Sequence, residues 1–284
     1  MSRNLLVSVI ITTLNSQSTL PACLKSITKQ RYMPTEILVV DNNSTDETRD
    51  IARKYTQRVY IHGPERSFQR NYGAKKAKGT YFLFLDADME LTPRVIEECV
   101  SEMSKNSNVG AVTIPERSKG EGFWAACKTL ERQCYMGDPN IEAARFFNRN
   151  IFWQFGGYDE SMTGPEDWDL PYRIRSTYTI DRIQNFIAHN EGDVKLSKLA
   201  MKKFYYGKSA TKYIKRHFGR AIFQQVFYFL RPSLYRNWRL LVRRPHLAFG
   251  MMIMLTVEQC AGAAGFLWGN LMNRRQIIYD DIGY

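Results

Sequence analysis

The stretch TYFLFLDADME (Thr80–Glu90) runs five apolar or aromatic residues, Tyr81 to Leu85, straight into two carboxylates one residue apart, Asp86 and Asp88. The apolar run reads as a strand buried on both faces. Charge is costly to bury, so a strand that ends in two acids delivers them to an open edge. In a parallel sheet that edge, at the strand C-termini, is where ligands sit. A D-x-D pattern also arises at an ordinary strand-end turn, and the preceding apolar strand is what sets this one apart.

Working outward, the first half alternates strands and helices. LLVSVIITTL predicts a first strand and Thr19–Gln30 a helix; EILVVD is a second strand. Ser44, with Glu47 three residues on, predicts a capping box opening a helix over 45–55. RVYIHG is a third strand, and RSFQRNYGAKKAKG predicts a helix closed by Gly79. TPRVIEECVSEMSK has a proline in the first turn of a helix, and VGAVTIPE is a further strand. Repeated βα units of this length predict a mainly parallel sheet flanked by helices, a Rossmann-like α/β arrangement. Beyond Gly120, FWAACKTLERQCY is helical, AARFFNRNIFWQFGGYDE mixes strand and turn, and GPEDWDLPYRI starts a helix. DRIQNFIAHNEGD is strand-like, with His189 at its exit.

The chain has 284 residues, 44% hydrophobic and 13% aromatic, which fills a core and excludes a disordered class. Its five cysteines (Cys23, Cys99, Cys127, Cys134, Cys260) are odd in number and form no CxxC pair, which fits a reducing cytosol. The N-terminal apolar run lacks the h-region and cleavage site of a signal peptide. The net charge of +12 is concentrated. Lys195 to Leu247 holds 14 Lys or Arg and no acid, which leaves the remainder at −2. Anionic head groups, nucleic acid or a phosphorylated ligand are the natural partners of such a segment. Residues 247–269 are long enough to span a bilayer, but Glu258 and Gln259 at the centre divide them into two apolar pieces suited to interfacial or re-entrant segments. A single clean crossing, and a helical hairpin in a soluble core or dimer interface, are the other readings. The domains expected are 1–194, catalytic, and 195–284, helical, basic and membrane-associating.

Polar groups gather at the predicted strand exits: Thr12, Thr13 and Asn15; Asp41, Asn43 and Asp46; Asp86 and Asp88; with Arg70 and Asn71 in the helix before the fourth strand. Taken singly, Asp41 is equally a turn residue and Arg70 a solvated helix charge. Together on one sheet edge they suit a nucleoside diphosphate. One carboxylate binds a hydroxyl, and the other binds a hard divalent cation that keeps waters and shares the phosphates.

VSVIITTLN, EILVVDNNSTDET, RNYGAKKAKGTYFLFLDADMELTP, FGGYDE and GPEDWDLPYRI, in this order over roughly residues 5–195, resemble the inverting family 2 glycosyltransferases of GT-A fold. The resemblance implies a nucleotide-sugar donor carrying UDP or GDP. It places Thr12 and Asn15 in the nucleotide pocket, Asp41 on the base, Asn43 and Asp46 nearby, Arg70 on the base or diphosphate, and Asp86 at the ribose. It also implies that Asp88 binds Mg²⁺ or Mn²⁺, joined by His189, which is otherwise a structural histidine. Asp167 matches the catalytic base, because direct displacement at the anomeric carbon needs a group to take the acceptor proton. Glu166 supports that base or binds an acceptor hydroxyl. Asp169 is a first-turn acid, and Trp168 either stacks on a sugar or belongs to the core.

The QxxRW pattern of processive synthases is absent, which predicts addition of one sugar. The tail resembles those of members acting on lipid-linked acceptors. The expected partners are therefore a nucleotide-sugar donor, a lipid-linked or other glycan acceptor and an anionic membrane surface at its cytoplasmic face, with an apolar tail capable of dimerising. A polyprenyl-phosphate sugar synthase is the alternative activity. A sugar nucleotidylyltransferase needs a Gly-rich loop that TTLNSQSTLP lacks. A non-enzymatic membrane or nucleic-acid binder leaves the acidic edge unexplained, and that edge repels nucleic acid.

Overall fold

The computed structural model describes residues 5–217 and 231–281 of the chain; residues 218–230 of the basic segment lie outside the described residues. Two compact units are present. The first comprises residues 1–119, 136–160 and 166–191; the second comprises 120–135, 161–165 and 192–284.

In the first unit the elements run β1 (Val7–Thr13), α1 (Leu20–Thr28), β2 (Thr35–Asp41), α2 (Thr48–Arg53), β3 (Val59–Ile61), α3 (Arg66–Lys76), β4 (Tyr81–Asp86), β5 (Met89–Leu91), α4 (Val95–Lys105), β6 (Val109–Thr113) and β7 (Glu116–Glu121). After α5 (Phe123–Tyr135), which belongs to the second unit, come β8 (Ala144–Asn148), α6 (Arg149–Gln154), α7 (Glu166–Ile174), β9 (Thr179–Arg182) and β10 (Ile187–Asp193). A seven-stranded sheet has the order β3-β2-β1-β4-β8-β6-β9, and β5-β10-β7 form a three-stranded sheet. Strands β1, β2, β3 and β4 are parallel, as are β6 and β9, while β8 runs antiparallel to both neighbours.

Alternation along the central strands explains the apolar run. Leu83 and Leu85 of β4 join Val9 and Ile11 of β1 in a core with α1 and α4 on one face. Phe82 and Phe84 join Ile10, Leu38 and Phe152 on the other. With both faces covered, neither set of alternate residues is left to be polar.

Local expectations differ from the structure at several points; Pro93, for one, lies in a turn ahead of α4, whose N-cap is Arg94, and not in the first turn of the helix. The Ser44 hydroxyl donates to Asp41 Oδ1 instead of capping α2, which begins four residues later. Helix α3 ends at the extended Ala77; Gly79 is small because a Cβ there would lie 2.5 Å from Ser8 Oγ and 2.8 Å from the Leu6 carbonyl. His189 lies inside β10, opposite Met89, rather than at a strand exit.

The second unit contains α5, α8 (Leu196–Arg216), α9 (Pro232–Arg236), α10 (Trp238–Arg243) and α11 (Pro245–Asp281). α11 runs unbroken through Glu258 and Gln259, where the sequence predicts a division. Glu258 is buried and faces Lys128 of α5 at 3.1 Å and Lys203 of α8 at 3.2 Å. Burial opposes its charge, but the two lysines outweigh that and bring its pKa down to about 2. A paired carboxylate keeps its place inside a helix instead of breaking it. α8 and α11 approach closely through small residues, and a Cβ on Gly265 would lie 2.0 Å from the Phe204 carbonyl oxygen. Pro245–Met272 is long and apolar enough to cross a membrane by length and composition.

Candidate active site

Register builds the site. In β1, Thr12 stands opposite Asp86 of β4 and Thr13 opposite Asp41 of β2. Thr12 Oγ1 accordingly donates to Asp86 Oδ1 at 3.0 Å, and Thr13 Oγ1 to Asp41 Oδ1 at 2.7 Å. Asp41 is buried and also accepts from the Ser44 backbone N–H at 2.7 Å.

The exits of β1 and β2 are latched to each other. Asn15 Oδ1 accepts from the Thr45 N–H at 2.9 Å, and the Asn15 N–H donates to Ser44 Oγ at 2.8 Å. Asn15 and Asn43 both take left-handed backbone, φ 47° and 55°, which asparagine tolerates better than most residues. Asp46 is engaged locally: its carboxylate accepts from the Gln17 N–H at 3.1 Å and the Thr48 N–H at 3.0 Å.

The centre of the site is Arg70, on the α3 face turned to the sheet and fully buried. Its Nη2 donates to Asp86 Oδ1 at 3.0 Å and its Nη1 to Asp167 Oδ1 at 2.6 Å, while Glu166 Oε1 lies 3.6 Å from Nη1. One turn earlier, Arg66 faces Asp86 Oδ2 at 3.5 Å and Glu166 Oε1 at 3.4 Å. Two cations thus face three carboxylates. Burial disfavours the Asp86 charge, but Arg70, then Arg66 and Arg145, hold its carboxyl well below the usual range. Glu166 goes the other way: burial first and then Asp167 push it up, against the pull of both arginines. The Glu166 side chain is 1% exposed and that of Asp167 16% exposed. Of the two adjacent acids opening α7, Asp167 is therefore the more exposed.

Other residues around the motif hold the frame. Asn71 Nδ2 donates to the Tyr158 carbonyl at 2.8 Å and to Glu160 Oε1 at 3.0 Å, fixing the FGGYDE loop on α3. Asp169 is buried and pairs with Arg173 at 2.8 Å, whose Nη2 donates to the Gly157 carbonyl. Trp168 is half-buried, and its indole N–H donates to the Ile141 carbonyl at 2.9 Å.

Asp88 and His189 meet across β5 and β10, with Nε2 3.4 Å from Asp88 Oδ2. Asp88 Oδ1 is buried and makes no hydrogen bond. An orphaned carboxylate oxygen beside an imidazole nitrogen suits a hard divalent cation. Among the described residues no group of three or more His, Cys, Asp or Glu is arranged to hold one. The pair fits a cation that shares its remaining positions with phosphate and water. Sequence reasoning missed Arg66, Arg145 and Glu116. The i, i+4 spacing of Arg66 and Arg70 was a visible signal for the first; a lone charge inside the apolar strand ARFFN was one for the second.

Residues 8–160 match the family model for glycosyl transferase family 2. A PGL/p-HBAD biosynthesis glycosyltransferase of Mycobacterium bovis (strain BCG / Pasteur 1173P2) is 32% identical over 180 residues, which cover 60% of this chain and 69% of the relative. A glycosyltransferase of Haemophilus influenzae is 23% identical over 234 residues, 77% of this chain and 79% of its own. Among solved structures, a mannosyltransferase from Pyrobaculum calidifontis in complex with GDP-Man and Mn²⁺ superposes with a TM-score of 0.61 at 17% identity, over 92% of this chain and 87% of that one. S. aureus TarS 1–349 in complex with UDP-GlcNAc gives a TM-score of 0.50 at 16% identity, over 90% of each chain. At these identities the structural likeness shows the fold alone, which is GT-A. With the family match covering more than half of the sequence, the chain belongs to glycosyl transferase family 2 and is a glycosyltransferase.

Proposed function

We propose that the protein moves one sugar, with inversion, from a UDP- or GDP-sugar to a hydroxyl of a lipid-linked or other glycan acceptor at a membrane surface. The observation that carries this reading is the Arg70 bridge between Asp86 and Asp167. One buried guanidinium ties the carboxylate at the donor strand exit to the carboxylate suited to receive the acceptor proton.

In this reading Thr12, Asn15 and Asp41 shape the nucleotide pocket, with Asn43 and Asp46 in its rim, and Asp86 meets the ribose. Asp88 and His189 would hold Mg²⁺ or Mn²⁺, which when bound offsets charge on the departing diphosphate. Asp167 takes the proton from the attacking hydroxyl, and Arg70 orients its carboxylate for that step. Glu166, buried behind it, supports the two arginines.

Titration with UDP and GDP, with and without Mn²⁺, tests the donor side. Binding of one nucleotide is expected to tighten with Mn²⁺ in the wild type and to lose that enhancement in Asp88→Ala. Folded protein that binds neither nucleotide sinks the proposal.

The membrane half rests on the second unit. Tyr235, Trp238, Val242 and Phe249 are exposed large side chains, interleaved with exposed Arg236, Arg239, Arg243 and Arg244. Aromatic and basic side chains in this mixture suit a head-group layer at the cytoplasmic membrane face. Sedimentation with vesicles containing anionic lipid, weakened by salt and absent with neutral vesicles, is the expected result. Equal recovery with both vesicle types removes the electrostatic part of the reading.

A further inference from the structure

His189 lies on the middle strand of the three-stranded sheet, with β5 on one side and β7 on the other. Asp88 immediately precedes β5 and Glu116 opens β7, so the sheet sets one carboxylate on each side of the imidazole. Nε2 is 3.4 Å from Asp88 Oδ2, and Nδ1 is 3.0 Å from Glu116 Oε2. The other Glu116 oxygen, Oε1, accepts from Arg145 Nε at 2.6 Å. Arg145 is 5% exposed and sits on β8, a strand of the other sheet. Asp88, His189, Glu116 and Arg145 thus form one continuous polar chain linking the two sheets.

We infer that Glu116, anchored by Arg145, is the positioning residue that fixes the tautomer and ring orientation of His189, so that Nε2 is presented beside Asp88 to a divalent cation. The inference rests on the metal-dependent reading given above.

A neutral imidazole carries its proton on one nitrogen and a lone pair on the other. A carboxylate at Nδ1 accepts the proton there and leaves the Nε2 lone pair free for a metal. Glu116 faces the nitrogen turned away from Asp88, which is the place of a supporting group and not of a third ligand. Its own carboxylate is held in turn. Burial opposes the Arg145 charge, but Glu116 first and then Asp167 and Asp86 outweigh it and keep the guanidinium protonated. A charged Nε–H···O bond of this kind fixes the rotamer of Glu116, and through it the plane of the ring. A purely structural role, in which the chain only ties β5, β7 and β8 together, predicts lower stability with unchanged metal affinity.

The test uses the full chain with Mn²⁺ as the probe, in the presence of UDP or GDP, read by electron paramagnetic resonance or calorimetry. Glu116→Gln keeps the shape of the side chain and removes its charge. It is expected to weaken Mn²⁺ binding by about 10–100-fold, the usual cost of losing a support of this kind. Nucleotide binding without metal stays as in the wild type, which rules out misfolding as the cause. Arg145→Lys, which keeps a charge but not the guanidinium geometry, shows a smaller loss in the same direction. Wild-type Mn²⁺ affinity in Glu116→Gln, alongside its loss in Asp88→Ala, overturns the inference while leaving the metal reading standing. A lower Tm in Glu116→Gln with unchanged Mn²⁺ affinity does the same and marks the chain as structural. Mn²⁺ binding that is absent from the wild type, or that Asp88→Ala leaves untouched, overturns the metal reading and this inference with it.

Discussion

Asp167→Asn is expected to bind the donor as the wild type does while its turnover falls by about 10²–10⁴-fold, the usual contribution of a positioned base. The substitution keeps the size of the side chain, and its amide oxygen can still accept from Arg70 Nη1, now at 2.6 Å from Asp167 Oδ1. The start of α7 and the arginine therefore stay in place. What is lost is the group that takes a proton. The decrease should fall on kcat and on kcat/KM alike, because the interaction is made in the transition state. Donor affinity by calorimetry and sugar transfer in a single-turnover assay separate the two effects. Glu166→Gln is the matching control. Glu166 is buried, pushed up in pKa and paired with Arg66 and Arg70, so its variant should act through stability rather than turnover. Full transfer by Asp167→Asn together with loss in Glu166→Gln would exchange the two roles.

The sequence displays those parts of the site that depend on short-range pattern. A parallel strand covered on both faces reads as an uninterrupted apolar run, and the acids that end it mark the open edge of the sheet. That logic locates Thr12, Asp41, Asp86 and Asp88 without a structure. It fails where pairing is long-range and the strands are short. β5 has three residues, and β7, ERSKGE, has no apolar residue at all. Neither carries a periodic signal, so the three-stranded sheet that sets Glu116 beside His189, 73 residues away, is invisible in the pattern. β8 enters antiparallel between β4 and β6, and Arg145 reaches the site only through that insertion. Glu258 shows the same limit from the other side. An acid in an apolar stretch reads as a break until its partners, Lys128 on α5 and Lys203 on α8, are seen to hold it. The capping signal at Ser44 is a local pattern that lost to a tertiary one, since the buried Asp41 carboxylate claims both its hydroxyl and its N–H.

Arg70→Ala is expected to destabilise the protein by about 3–5 kcal/mol, the cost of leaving buried charge uncompensated. Arg70 is fully buried, and its guanidinium lies against Asp86, Asp167 and Glu166, with the Tyr158 ring 5.1 Å away. Since domains are commonly stable by about 5–15 kcal/mol, that loss is large enough to move a urea midpoint plainly. Arg66 cannot replace it: its side chain is 31% exposed, and it faces Asp86 at 3.5 Å and Glu166 at 3.4 Å, longer than the Arg70 contacts to Asp86 and Asp167. Arg70→Lys separates charge from geometry. The ammonium restores one positive charge but not the planar fork that reaches Asp86 and Asp167 at once. Its stability should lie between wild type and Arg70→Ala, whereas its turnover should fall nearly as far as that of the alanine variant, because the orientation of Asp167 depends on the fork. Wild-type stability in Arg70→Ala would mean that Arg66 alone balances the three carboxylates, and wild-type turnover in Arg70→Lys would mean that charge, and not the bridge between Asp86 and Asp167, is what the site requires.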